Sequence, residues 1–428
     1  MHYRTRIIQT PDCLPVIENS GISLWVSATQ ISDATLLPES EYSQNSANIR
    51  RWLDGYGHAA TPELSMTKCV AEANEGYTTA LTGLYCRPHF ISPQSIFRYT
   101  NFDINDMIAI ESVDVYKAKL SELYGNLGWI CATDLINQAL TLVPAQVILG
   151  NYRMRNLEPR LQRGTSRGLA CAYSEIDAIL HGMLEVIETD SFTRFMQSDQ
   201  ALTTYAFESE GEFSYPKKYG RQPEIRSYER INYWRIPTEY DEVYVILSSI
   251  ELLVDGQRCA LFGMGSGFEI ESAASHARAE AVHMMLRSPV KEIRKIMNLS
   301  ESELISLSGR EYYKKLGCNK RYLNWLTETK LKTSDSSSED YCRPARNDIS
   351  SKQCKLDMLI RCAKRLRWDW YCANISRLLP QEYDEQTHQV YKVYSPQAEP
   401  LDLGTRTYRG VNADGFVRNR HTYPILCP

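Results

Sequence analysis

Two periods of hydrophobic and polar residues run along this chain. Apolar runs bounded by turn residues predict strands over 22–28 (ISLWVSA) and over Val390–Tyr394. Trp129–Gly150 starts with mixed polarity and ends in a strand-like LTLVPAQVIL. Asp241–Gly265 is the clearest hairpin: VYVILSSIELLV reaches Asp255-Gly256, a favoured two-residue turn, and returns through RCALFGMG. Helical spacing follows Pro62, a residue suited to a first turn, and recurs over Asp114–Gly125, Glu301–Glu328 and Lys355–Arg365. Thr333–Asp340 (TSDSSSED) has almost no apolar residues and reads as a loop or linker. We find no internal repeat. The mixture of hairpins and helices predicts an α+β fold with mixed or antiparallel sheets and flanking helices, not a doubly wound one.

Some helical stretches carry polar residues in one line. From Gly164 to Asp190 a small-residue loop leads into a helix with Asp177, His181, Glu185 and Glu188 on one face, at offsets of four, four and three. The residues between are mostly apolar, so the helix is largely buried. Carboxylates in a buried row need a cation, such as a metal ion or a metal held on phosphate. TKCVAEANEGY (67–77) repeats the pattern with Lys68, Glu72 and Glu75, and ESAASHARAEAVHMML (271–286) with His276, Glu280 and His283. A single stripe is ordinary surface polarity. Three stripes in small-residue helices point to one shared polar cavity. Gly263, Gly265 and Gly267 do not make a Gly-x-Gly-x-x-Gly pattern, and no helix is expected directly after them, which argues against a Rossmann site.

Composition narrows the class. Hydrophobic content of 43% and charged content of 23% are those of a globular protein. A net charge of -4 implies no broad attraction to nucleic acid. No apolar run is long enough for a membrane span, and MHYRTRIIQTPD has no signal-peptide core. Twelve cysteines without a Cys-x-x-Cys pair read as free thiols of a cytoplasmic protein; Cys342, Cys354, Cys362 and Cys372 are expected to be unligated.

GHAATPELSMTKCVAEANEGY (57–77) resembles GKGxTxxxAxxSAxxEAxERY of the YcaO proteins, which activate peptide backbone amides with ATP. The Gly164–Asp190 segment is similar to their TGLAxGxxxEEAIxHGxxExIERD, and GMGSGFEIESAASHARAEAVH (263–283) to their GxGxxxxPxxAxxRAxxEAxQ. Order and internal spacing hold. The resemblance implies a YcaO-like fold around an ATP and Mg2+ cavity. Glu72, Glu75, Glu185, Glu188 and Glu280 would hold Mg2+. Lys68, Asp177, His181 and Glu280 would lie at the nucleotide. The chain departs from the family at Lys68 (Ser), Tyr173 (Asn), Asp177 (Glu), Thr189 (Arg) and His276 (Arg). Azoline-forming relatives end in Pro-x-Pro-x-Pro; here Pro424 and Pro428 remain and the middle position is Leu426. By that analogy the tail reaches the active site, and the Pro428 carboxylate or His276 acts as base, with His181 and His283 in supporting roles.

The implied organisation is an ATP-binding core over 1–290, a helical insertion with a Ser-rich linker over 291–345, and a C-terminal part with the Pro-ended tail over 346–428. The implied reaction is cyclodehydration of Cys, Ser or Thr in a ribosomal precursor peptide. A thioamide or amidine product and a non-catalytic nucleotide-binding scaffold are the alternatives. The chain starts almost directly in the YcaO region. A separate leader-binding partner resembling ubiquitin-activating enzymes is therefore expected, and a flavin dehydrogenase would be needed for any oxidation to an azole.

Overall fold

A computed structural model describes residues 11–19, 21–30, 54–107, 120–150, 152–155, 158–161, 165–215, 224–300, 303, 316–333, 351–378 and 389–399. The expected helix over Asp114–Gly125 is seen as Leu120–Asn126, and that over Glu301–Glu328 as Lys320–Thr329; 114–119 and most of 301–315 lie outside the described residues. So do 334–350 and everything after 399, including the tail with Pro428.

The fold is α+β, with three main sheets. Each ends at an edge strand that leads into a stripe helix. Strand β1 (Asp54–Ala59) edges a five-stranded sheet that continues through Gly21–Gln30, Asp12–Glu18, Gly211–Tyr215 and Glu224–Tyr228; helix α1 (Pro62–Tyr85) follows it. Strand β2 (Leu169–Ala172) edges a second sheet through Gln389–Tyr394, Tyr371–Asn374, Trp129–Asp134 and Ala139–Pro144, and leads to α2 (Glu175–Gln197). Strand β3 (Gln257–Gly267) edges a four-stranded sheet through Tyr244–Val254, Arg230–Ile236 and Ala206–Glu208, and leads to α3 (Ile270–Leu286). Neighbours within these sheets pair antiparallel.

The three strand–helix units correspond residue by residue, without insertions. Gly55, Gly168 and Gly263 share a position, as do the N-caps Thr61, Ser174 and Glu269. So do Lys68, His181 and His276, and likewise Glu72, Glu185 and Glu280. Glu75, Glu188 and His283 make up the last stripe position. The absence of an internal repeat expected from the sequence is therefore corrected. Equivalent contacts support the match. A Cβ at Gly57 would overlap the carbonyl oxygen of Ser65; one at Gly265 would overlap that of Ala273, the corresponding residue. These close approaches let α1 and α3 lie directly on their strands, and only glycine permits them.

The hairpin turn is as expected, with both Asp255 and Gly256 at positive φ (52° and 74°). Two other expectations are corrected. A helix does open directly after the glycines of β3, at Ile270. The apolar run after Leu140 is strand only to Pro144, and Ala145–Ile148 is a short helix, because so short an apolar run has no period of its own. Lys352–Leu366 and Gln389–Tyr394 match the remaining helix and strand. Tyr322, Leu323 and Leu326 of Lys320–Thr329 share one apolar core with α2 and β3.

Candidate functional site

The stripes of α1, α2 and α3 converge. In two units the central carboxylate accepts a backbone N–H from the strand side of its own unit: Glu72 from Tyr56 at 2.8 Å, and Glu185 from Gly168 at 2.8 Å. The last stripe position instead reaches the strand of the next unit. Glu75 accepts from Cys171 N of β2 at 2.8 Å, and Glu188 lies close enough to Ser266 of β3 for that hydroxyl to lower its pKa. At the third joint the His283 ring lies 5.6 Å from that of His58 on β1. His58, Cys171 and Ser266 occupy one equivalent strand position. The site is thus a ring of three helix–strand joints.

Lys68, Glu72, His181 and His276 keep solvent-exposed surface, while Glu75, Glu185, Glu188 and Glu280 are part-exposed. Protein nevertheless surrounds most of them, which is the signature of side chains lining an open hollow. The consequences are electrostatic. Burial first, and then the charges of Glu185 and Glu72, push the Glu75 carboxyl well above its usual range. Burial, assisted by Glu185 and Glu280, raises Glu188 to about 8 against the opposing effect of the Ser266 hydroxyl. Burial lowers Lys68, His58 and His181, and lowers His276 to about 4 with the help of Lys68. The hollow therefore holds more negative charge than it can stabilise alone. A cation there would lower the pKa of these carboxylates, so the residues fit a divalent metal.

The family model described as YcaO cyclodehydratase, ATP- and Mg2+-binding, matches residues 56–399, a span that contains all three units. The chain belongs to the YcaO family. ATP and Mg2+ are the ligands of this YcaO domain. Among solved structures, the chain is similar to a heterocyclase in complex with substrate and cofactor, with a TM-score of 0.58 at 13% identity, covering 93% of this chain and 50% of that one. It is also similar to the E. coli microcin synthetase McbBCD complex with pro-MccB17 bound, with a TM-score of 0.53 at 14% identity, covering 94% of this chain and 93% of that one. At these identities the likeness is one of fold. The chain spans about half the length of the first. No curated protein sequence matches it.

Of the sequence-predicted residues, Lys68, Glu72, Glu75, His181, Glu185, Glu188, His276 and Glu280 come together around the hollow of this YcaO domain. Lys68 acts electrostatically on His58, His181, His276 and Glu280. Asp177 stands at the first turn of α2, bonded by Ser174 and paired with Lys352 at 2.7 Å, and these contacts lower its pKa despite partial burial. Thr189 donates to the Glu185 carbonyl at 2.6 Å, so it does not do what a charged residue would do there. Pro428 lies outside the described residues.

Three groups were missed. His58 is buried between α1 and α3, at the Lys position of the YcaO pattern; comparing it with Cys171 and Ser266 would have exposed it. Arg167 donates to the carbonyls of Val186 (3.0 Å) and Glu399, and Lys392 to those of Thr165 (2.8 Å) and Arg167. Both are close enough to act on Glu185; burial lowers Lys392 to about 7, so the lasting positive charge behind Glu185 is that of Arg167. Lys392 lies on a strand far along the chain, and no local pattern marks it. Among the described residues the cysteines are free, Cys354, Cys362 and Cys372 included, and no helix is long and apolar enough to cross a membrane.

Proposed function

We propose that this protein is an ATP-dependent cyclodehydratase forming thiazolines or oxazolines in a ribosomal precursor peptide. The observation that carries this reading is the ring of carboxylates in a YcaO domain, with Glu75 and Glu188 held above their usual pKa. Glu72, Glu75, Glu185, Glu188 and Glu280 would hold Mg2+, with Lys68, Asp177 and His181 beside the nucleotide. Bound there, the metal neutralises triphosphate charge during phosphoryl transfer.

A substrate Cys, Ser or Thr attacks the preceding carbonyl carbon and gives its side-chain proton to a base. The carbonyl oxygen then takes the γ-phosphoryl group of ATP. Loss of that phosphate, together with the amide proton, leaves the C=N bond of the azoline. Two groups are proposed as base. His276 has a pKa of about 4, so it is neutral near pH 7 and open to solvent. The other is the terminal carboxylate of Pro428; two prolines limit the flexibility of the tail that would carry it.

A separate leader-binding protein completes the proposed system, and a flavin dehydrogenase would act only if azoles are the product. The test is incubation with ATP, Mg2+, a leader-bearing precursor encoded nearby and its leader-binding protein, read by mass. Loss of one water per modified residue supports the reading. Exchange of one oxygen for sulfur supports the thioamide alternative. Full-rate modification by the chain alone, unchanged by the partner, refutes partner dependence. The buried Thr189 hydroxyl, where the family has Arg, favours the second reading: a nucleotide-binding subunit without turnover. Nucleotide binding with no product under any of these conditions would select it.

A further inference from the structure

The three joints of the ring differ in donor chemistry. The α1–β2 and α2–β3 joints present Glu75 and Glu188, oxygen donors suited to Mg2+. At the α3–β1 joint the equivalent helix position is His283, the strand position is His58, and the preceding stripe residues are His276 and Glu280. Among the described residues, His58, His276 and Glu280 form the group of metal-ligating side chains in which one donor atom from each lies within 4.8 Å of the others. His276 and Glu280 are four apart on α3, one turn along a single face.

His58 supplies a second, independent observation. Its side chain is only 8% exposed, and neither ring nitrogen has a hydrogen-bond partner. Its Nε2 points at Glu280 Oε1, 3.6 Å away, and its ring centroid lies 5.7 Å from that of His276. Two unsatisfied nitrogens on one buried ring are costly, and a metal bond to one of them relieves that cost.

We propose that His58, His276 and Glu280 form a binding site for a borderline divalent transition metal of the Zn2+ or Co2+ class, adjacent to the carboxylate Mg2+ site and sharing Glu280 with it. Imidazole selects such ions over Mg2+, and two His with one carboxylate leave a coordination position open. Bonds of about 2.0–2.2 Å require donors roughly 3.3–3.6 Å apart. Glu280 and His58 already have that separation. His276, on the solvent-open side, closes the remainder by side-chain rotation. Lys68 faces the same group and opposes a dication, so its charge weakens the site.

The test is titration of the full chain with Co2+, without nucleotide or Mg2+, followed by visible absorption. The expected result is one Co2+ per chain, a nitrogen–oxygen spectrum without thiolate charge transfer, and displacement by Zn2+. His276→Gln, on the open face, is expected to weaken binding by about ten- to a hundredfold. Lys68→Gln is expected to tighten it several-fold. Circular dichroism and melting show whether each variant is folded. X-ray absorption of the Zn2+-loaded wild type tests the site without mutation: nitrogen and oxygen neighbours with imidazole scattering are expected. No stoichiometric binding, sulfur in the metal shell, or an unchanged affinity in folded His276→Gln would each overturn the proposal. Because no nucleotide is present, these outcomes are independent of the cyclodehydratase reading.

Discussion

Replacing Glu188 with Gln tests the electrostatics of the hollow most simply. The Glu188 carboxyl has its pKa raised from 4.5 to about 8, chiefly by burial and then by Glu185 and Glu280. A raised pKa means that the folded state holds the proton more tightly than the unfolded chain does. This contribution is fully present below about pH 4.5 and is lost as pH rises through about 8. At about 1.4 kcal/mol per unit, the shift bounds the loss at roughly 5 kcal/mol. Glu188 is part-exposed, so solvent screening discounts this to about 2–3 kcal/mol. Gln is neutral at every pH and loses nothing. In a chain of this length, that difference is a shift in apparent Tm of roughly 2–5 °C. The assay is thermal melting of both proteins between about pH 4.5 and about pH 9, without metal or nucleotide. The two should melt together at the acid end, with Glu188→Gln increasingly the more stable as pH rises. Mg2+ should then restore the wild type more than the variant. A Tm difference that stays constant with pH, or that grows in favour of the wild type, would refute the reasoning.

Two further outcomes are expected. Gly265→Val should be severely destabilising, by about 3 kcal/mol or more in urea unfolding, because its side chain would overlap the Ala273 carbonyl and push α3 off β3; a wild-type midpoint would contradict the strand–helix packing. Appending residues after Pro428 should cut peptide dehydration about a hundredfold while sparing nucleotide affinity, the scale of losing a positioned acid–base group; dehydration at the wild-type rate would remove the tail from the mechanism.

The stripes were legible in the sequence because four-and-three spacing survives wherever a helix keeps one polar face. The repeat behind them was not, because few identities persist. Gly57 and Gly265 correspond to Ala170, and Glu75 and Glu188 to His283; what the units share is close helix-on-strand packing, visible only once contacts are known. Sheet order was hidden for a related reason. β2 pairs with Gln389–Tyr394, and β1 with Gly21–Gln30 across a long connection, and no local pattern encodes such partners. His58 was hidden in a short strand of small residues, where a lone histidine looks like ordinary core.

The central claim is that carboxylates from separate units act together on one metal–nucleotide complex. The most direct measurement is calorimetric binding of a non-hydrolysable ATP analogue, with and without Mg2+, to the wild type, Glu75→Gln and Glu188→Gln. One nucleotide per wild-type chain, bound only with Mg2+, is expected, with a loss of Mg2+-dependent affinity of about ten- to a hundredfold in each folded variant. Wild-type affinity in both variants, or binding indifferent to Mg2+, would contradict it.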